Sequence, residues 1–565
     1  MGKIRLWQWR AVWVGLWGMG WVGLWGMAGE AGGGWPVVPA AEPAQAAKPT
    51  PEGNPFLTAQ SLPETKSVPE SKPSPGSPSF SQAKSLPQAQ FLPQVKSPKA
   101  PFIPETPPIP QSNSPPPAKA IPEAKSFSEV QATPAAQPSA SPETGLRIGA
   151  ADVELQAEDN MPIAGSIHAG YVKGQEGKLR AVAVVLQKAD QPPVALVSCD
   201  LLILPHDLLA PVEEEIQRRC NIPASHLLIH ATHTHHAPST CRVHAYGPDE
   251  RFCRQVQKAI VEAVAAAQAR LAPAGFFYGK GEEKTIGQNS RLLLQDGTIY
   301  WIGPRHDVVR PTGPVDPDVP VLVFRSPEGK LLAMLFGHSA HTIGGLKGGV
   351  RSPAFYGLAA QSLQEQYGGV VGFLEGASGS THRLDVSPAE AYRRIRQVVE
   401  QTMQSAKPTP VDQLTAIKKP FTFRYRHFDE AAEEKAVTEY CQKRVGGDRA
   451  EAIAQVFRQM RKELAPLQGK EKTTWLQAIR IGPVALVGIP GEMFTALGLQ
   501  IKRQSPFKET VVVELANDWI GYIPDAEGHR LGGYQVWTGL HSYVEPGTGE
   551  RMVQQAVEML RSLAR

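Results

Sequence analysis

Four imidazoles fall within seven residues at His230-Ala-Thr-His233-Thr-His235-His236, directly after the apolar run that ends at Ile229. Imidazole is both a metal ligand and an acid–base group near neutral pH, so a cluster this dense at the end of a buried strand points to a metal or acid–base site. Residues two apart on a strand share a face, which lets His233 and His235 line one pocket at the strand's C-terminal end. A second pair, in Gly337-His338-Ser-Ala-His341-Thr, again follows an apolar strand. Taken alone, it divides evenly between a capping or core role and a ligand role. Glu492 stands in Gly488-Ile-Pro-Gly-Glu-Met-Phe, where a buried strand turns into a helix. A carboxylate there can simply serve the helix N-terminus, but beside histidines it offers the hard oxygen that hydrolytic zinc sites add to imidazoles.

These residues need a scaffold, and after Leu146 the chain alternates short apolar runs with helical patterns. Residues 180–187, 193–202, 226–231, 319–324, 331–336, 370–374, 476–481, 484–489 and 511–515 read as strands, many apolar enough to be buried on both faces. Residues 205–219, 251–271, 355–366, 388–404, 429–464, 492–503 and 549–564 read as helices. The fold class expected is α/β, a layered mixed β-sheet core flanked by helices. The long charged stretch 429–464 is expected to pack on the outside as a solvated excursion.

The segments Val197-Ser-Cys-Asp200-Leu-Leu, Ala231-Thr-His-Thr-His, Gly313-Pro-Val-Asp-Pro, Pro490-Gly-Glu, Gly521-Tyr-Ile-Pro and Gly533-Tyr-Gln-Val, in that order, resemble landmarks of the neutral, or alkaline non-lysosomal, ceramidase catalytic domain. The resemblance covers most of 146–565, and the Ig-like domain that some members carry after it is not expected here. It implies a zinc ion held by His233, His341, Glu492 and Tyr522, with His235 beside it contacting substrate or a developing oxyanion. Tyr534 matches a second family tyrosine that faces the reacting group, and Arg291, in Asn289-Ser-Arg, resembles the substrate-orienting arginine. Asp200 is expected to orient one of these groups or to cap a strand end. The chemistry implied is metal-assisted hydrolysis: zinc polarises the amide carbonyl and lowers the pKa of a water or hydroxyl towards about 7. His235, Tyr534 and His338 would then stabilise charge or move protons.

The chain departs from the family at Phe373-Leu-Glu-Gly-Ala-Ser378-Gly-Ser380-Thr-His382-Arg, where His382 stands at or beside the nucleophilic serine. A zinc hydrolase using water on another amide, or on an ester, therefore stands level with a ceramidase. Two further departures are the opening Asp152-Val-Glu-Leu-Gln and Ala354, where the family often has an acid. The rival from another class is a catalytically silent relative that binds lipid or glycan at the cell surface. A metalloprotease is disfavoured, since no HExxH motif is present.

Composition is consistent with this. In 565 residues, 42% are hydrophobic and 20% charged, which suits a globular domain. The formal net charge of +4 is too small to argue for nucleic acid. The partner expected is a small-molecule or lipid amide. Five cysteines without CxxC spacing exclude a disulfide scaffold. Lys3, Arg5 and Arg10 precede an uncharged apolar stretch, 11–28, so residues 1–46 read as a signal peptide or, uncleaved, a membrane anchor. Residues 47–145, rich in Pro, Ser and Ala, read as a disordered tether to an enzyme domain at 146–565. Secretion or export to a periplasm follows as an expectation.

Overall fold

A computed structural model describes residues 145–189 and 191–565. The expected signal or anchor segment 1–46 and all but the last residue of the tether lie outside the described residues.

One topological unit occurs three times. In the first, Leu146–Glu154 pairs antiparallel with Arg180–Lys188, which pairs antiparallel with Val194–Cys199. The helix His206–Cys220 crosses over to Leu227–Ala231, parallel to Val194–Cys199, and the helix Glu250–Ala269 closes the unit. A parallel pair requires such a crossover, because a tight turn cannot reverse the chain twice. The second unit runs through strands Gly275–Glu282, Asp318–Arg325 and Leu331–His338, helix Ala354–Tyr367, strand Val370–Glu375 and helix Pro388–Ser405. The third runs through Leu414–Arg424, Glu471–Ile481 and Val484–Gly488, helix Thr495–Gln504, strand Glu509–Val513 and helix Thr548–Leu563. In every unit the two helices pack on each other and the second covers the first strands of its own sheet.

The continuous apolar runs of the strands follow from this layering. Leu322 and Phe324 face a core shared with Val184 of the first sheet and Leu486 and Val511 of the third. Their neighbours Val321 and Val323 face outward onto Phe355 and Ile395 of the helices. Both faces are thus dry, and alternation with polar residues disappears. The sheets meet at the ends of their parallel strands: Glu514 N–H donates to Glu375 O (2.9 Å), Asn517 N–H to Ile229 O (2.8 Å), and Ser198 Oγ to Phe373 O (2.6 Å). The loops that leave the C-terminal ends of all three parallel pairs therefore gather in one place.

Two expectations are corrected. The stretch 429–464 is two helices, Glu430–Arg444 and Gly447–Leu464, broken where Gly446 and Gly447 take φ of 73° and 56°. It is not a solvated excursion, because Tyr440, Ile453, Phe457 and Met460 are buried against Leu292, Tyr300 and Trp537. The helix expected from Glu492 begins at Thr495, since Glu492–Met493 is held as a short strand beside Tyr522–Ile523. All five cysteines are free, and burial pushes the Cys199 thiol up, in keeping with an inert core residue.

Candidate metal centre

Each unit sends a donor to the same point: His233 and His235 from the first, His341 from the second, Glu492 and Tyr522 from the third. The strand before His233 ends at Ala231, so strand alternation does not align the first pair. Instead His233 adopts a left-handed φ of 62°, a conformation rare for a side-chain-bearing residue, and this turn brings its Nε2 to 3.4 Å from that of His235. Gly165 makes room, since a Cβ there would lie 2.3 Å from His235 Nδ1. Glu492 and Tyr522 are direct register partners in a parallel two-strand ladder, which puts both side chains on one face.

The hydrogen bonds fix which atoms are free. His233 Nδ1 lies 3.0 Å from Leu202 O and His341 Nδ1 2.9 Å from Ser378 O. A carbonyl only accepts, so both rings carry their proton on Nδ1 and present a bare Nε2 inward. Those two lone pairs face Glu492 Oε2 at 3.6 and 3.3 Å, while Trp519 Nε1 donates to Glu492 Oε1 at 3.0 Å. The Tyr522 hydroxyl is 3.1 Å from His341 Nε2. The ligating atoms of His233, His235 and His341 all lie within 4.8 Å of one another. Burial, reinforced by His341, holds His233 down at about 4, so it is neutral near pH 7. Burial alone raises the Glu492 carboxyl, and only positive charge facing it, an imidazolium or a cation, holds it below its ordinary range. Burial and then Glu492 push the Tyr522 phenol well above its ordinary value.

The remaining expected residues divide. His382 stacks on His341 with centroids 4.1 Å apart, and its buried Nε2 has no hydrogen-bond partner. The Tyr534 ring centroid lies 6.1 Å from that of Tyr522, and its hydroxyl 3.3 Å from His244 Nε2. Arg291 does not join the cluster: its guanidinium donates to Gln535 Oε1 (3.0 Å), Gly528 O (3.2 Å) and Gly532 O (2.7 Å), anchoring the loop that carries Tyr534. Asp200 accepts from Arg180 N–H at 3.0 Å and from Thr232 Oγ1 at 3.4 Å, tying a strand end to the histidine loop. His338 faces away, between Tyr356 OH (2.5 Å) and Glu283 O (3.1 Å). Of the other histidines in the 230–236 run, His230 Nδ1 bonds Ala231 O and His236 Nε2 accepts from Gly344 N–H, so both serve the backbone.

Sequence reasoning missed Trp519 and a buried pair of acids behind the cluster. Glu514 accepts from Ser378 Oγ (2.6 Å) and Met493 N–H (2.8 Å), and Glu375 from Thr342 Oγ1 (2.7 Å). Burial raises both carboxyls well above their ordinary range. The signal was present: in the second and third units an acid ends, or directly follows, an otherwise apolar strand, at Phe373-Leu-Glu375 and Val512-Val-Glu514.

No protein-family model matches the chain. A stretch of 124 residues, 21% of the chain, is 29% identical to neutral ceramidase of Pseudomonas aeruginosa, and the match spans 18% of that protein. The crystal structure of neutral ceramidase from the same organism superposes with a TM-score of 0.58 at 19% identity, covering 74% of this chain and 75% of that one. A structure described as ceramidase complexed with C2 gives 0.59 at 18% identity, covering 75% and 76%. In fold, and over this one stretch in sequence, the chain is similar to neutral ceramidase.

Proposed function

We propose that the protein is a zinc-dependent hydrolase of amide bonds, acting on an N-acyl, ceramide-like lipid. The observation that carries this reading is the convergence of bare imidazole nitrogens on an ionised carboxylate. Lone pair facing lone pair in a buried site is unfavourable unless a cation lies between them, and two imidazoles with a carboxylate and a phenol form a donor set that suits Zn2+. His233, His341, Glu492 and Tyr522 would hold the ion, with His235 beside them. When bound, zinc supplies Lewis acidity towards a carbonyl.

The chain's own residues account for the rest. His235, half-buried beside the donors, faces the substrate and takes up or returns a proton. Tyr534 offers its hydroxyl to developing charge on the carbonyl oxygen. His382 stands at or beside the position of the family's serine, and its unpartnered Nε2 can hold the attacking water. Ser378 and Ser380 are poor nucleophile candidates, because Ser378 donates to Glu514 and Ser380 to Thr495 Oγ1 at 3.2 Å. Attack by water rather than by serine is the mechanism these contacts support. Export, with a membrane-proximal N-terminal segment, is part of the same proposal and rests on the sequence of residues 1–46.

The test is direct. Purified protein should retain about one zinc per chain and cleave a fluorogenic N-acyl substrate, losing both on His233→Ala. Protein that binds no zinc after metal reconstitution overturns the reading and leaves the silent lipid binder. Zinc-loaded protein that cleaves the matched ester but not the amide makes it an esterase.

A further inference from the structure

Tyr534 is held on every side. Arg291 fixes the carbonyls of Gly528 and Gly532 and the side chain of Gln535. His541 Nε2 lies 3.0 Å from the Tyr534 carbonyl, pinning the backbone. The phenol ring stacks on Trp301, with centroids 4.5 Å apart and planes 1° from parallel, and on His541 at 4.8 Å. These contacts fix the ring but leave the hydroxyl hydrogen free to rotate about the C–O bond. What remains to orient it is His244, whose Nε2 is 3.3 Å from the Tyr534 oxygen. His244 is 2% exposed, packs at 5.3 Å from the His541 ring, and is not accounted for by any ligand or strand-pairing role above.

Resting on the hydrolase reading, we propose that His244 is a positioning residue for Tyr534: its Nε2–H donates to the phenol oxygen, so that the hydroxyl hydrogen is presented to the histidine–carboxylate cluster. A phenol oxygen has only a few hydrogen-bonding directions, and filling one with a fixed partner selects the rest. Burial holds His244 down at about 3, so the partner is a neutral imidazole and the effect is one of direction rather than of charge. Fixing the hydroxyl in advance removes a rotation that would otherwise have to occur as charge develops on the carbonyl oxygen.

The experiment compares His244→Leu, His244→Asn, whose amide is too short to reach the phenol, and His244→Gln, whose amide can. Zinc content and the far-ultraviolet spectrum confirm folding. With an N-acyl substrate, His244→Leu and His244→Asn should lower kcat about ten- to thirty-fold with KM little changed. His244→Gln should stay within about three-fold of wild type, and adding His244→Leu to Tyr534→Phe should cost little more than Tyr534→Phe alone. Equal kcat in wild type and His244→Leu, or full additivity with Tyr534→Phe, overturns the proposal. A second readout needs no turnover: 3-fluorotyrosine placed at position 534 and observed by 19F NMR. Its resonance should shift in the Leu and Asn variants and return in Gln, and an unmoved resonance overturns the proposal. Wild-type protein inactive on every amide and ester would sink the hydrolase reading, while the resonance would still decide the role of His244.

Discussion

An imidazole with its Nδ1 proton already committed to a carbonyl has one lone pair left, and at His233 and His341 that lone pair meets a carboxylate. In metal-free protein the arrangement is repulsive, which separates two properties that usually move together. Glu492→Gln should abolish zinc retention, yet the amide N–H can donate to a bare Nε2. The metal-free variant is therefore expected to melt higher than metal-free wild type, by about 1 kcal/mol of stability, in paired calorimetric scans with chelator present. The serines give a second contrast. Ser378→Ala leaves a Glu514 oxygen unpaired and should cost about 1–3 kcal/mol, but kcat at a temperature where the variant is folded should hold within a few-fold; a loss comparable to that of His233→Ala would make Ser378 the nucleophile. The acid pair behind the site sets a pH dependence. Burial raises Glu375 and Glu514 in the folded state above their unfolded values. Their protonated forms therefore contribute stability that is complete below the ordinary carboxylate range and is lost as pH rises through the folded values. Glu375→Gln keeps the neutral shape without the titration, so its melting temperature should fall less steeply towards alkaline pH than that of wild type. A parallel decline would mean that Glu375 does not titrate in the folded protein.

At the scale of elements, the parts that were legible in the sequence are those whose burial left a continuous apolar run, such as Val194–Cys199 and Val370–Glu375. The first strand of each unit was not. Leu414–Arg424 carries Lys418, Lys419 and Pro420 in succession, Gly275–Glu282 contains three glycines, and Leu146–Glu154 mixes Arg147 and Asp152 into its run. None of the three offers clean alternation. The site residues were legible through motif order rather than through period: His233 and His235 come together through a left-handed turn that no strand pattern encodes. The donors Glu492 and Tyr522 meet only because residues far apart in sequence form a two-residue ladder. Gly379 shows how tightly these loops fit, since a Cβ there would lie 2.3 Å from Glu492 O and 2.7 Å from its carbonyl carbon. Backbone cannot swing aside as a side-chain tip can. Gly379→Ala should therefore displace Glu492 and weaken zinc binding at least ten-fold by chelator competition, although the substitution touches no ligand side chain. Unchanged zinc affinity would show that the ladder yields without moving the carboxylate.

For the whole molecule, the decisive fact is that three units of one topology contribute their parallel strands to a common core and their strand-end loops to a common site. Beside the apolar layer between each sheet and its own helices, the sheets share a further one: Leu335 of the second sheet packs in one cluster with Leu196 of the first and Leu486 of the third. A truncation such as Leu335→Ala should thus cost about 2–5 kcal/mol and lower one shared transition rather than melting one unit early. The proposed metal would add a second coupling of the same kind, because its ligands would come from all three units. An ion that binds the folded chain and not the unfolded one stabilises by about 2.7 kcal/mol at a free concentration one hundred-fold above its dissociation constant. If the ion joins all three units, that stabilisation should appear as an upward shift of the entire unfolding transition of residues 145–565. Calorimetry with and without chelator checks this. If zinc raised only a fraction of the transition, leaving an early-melting component in place, the units would be energetically separable and the shared site would not be holding them together.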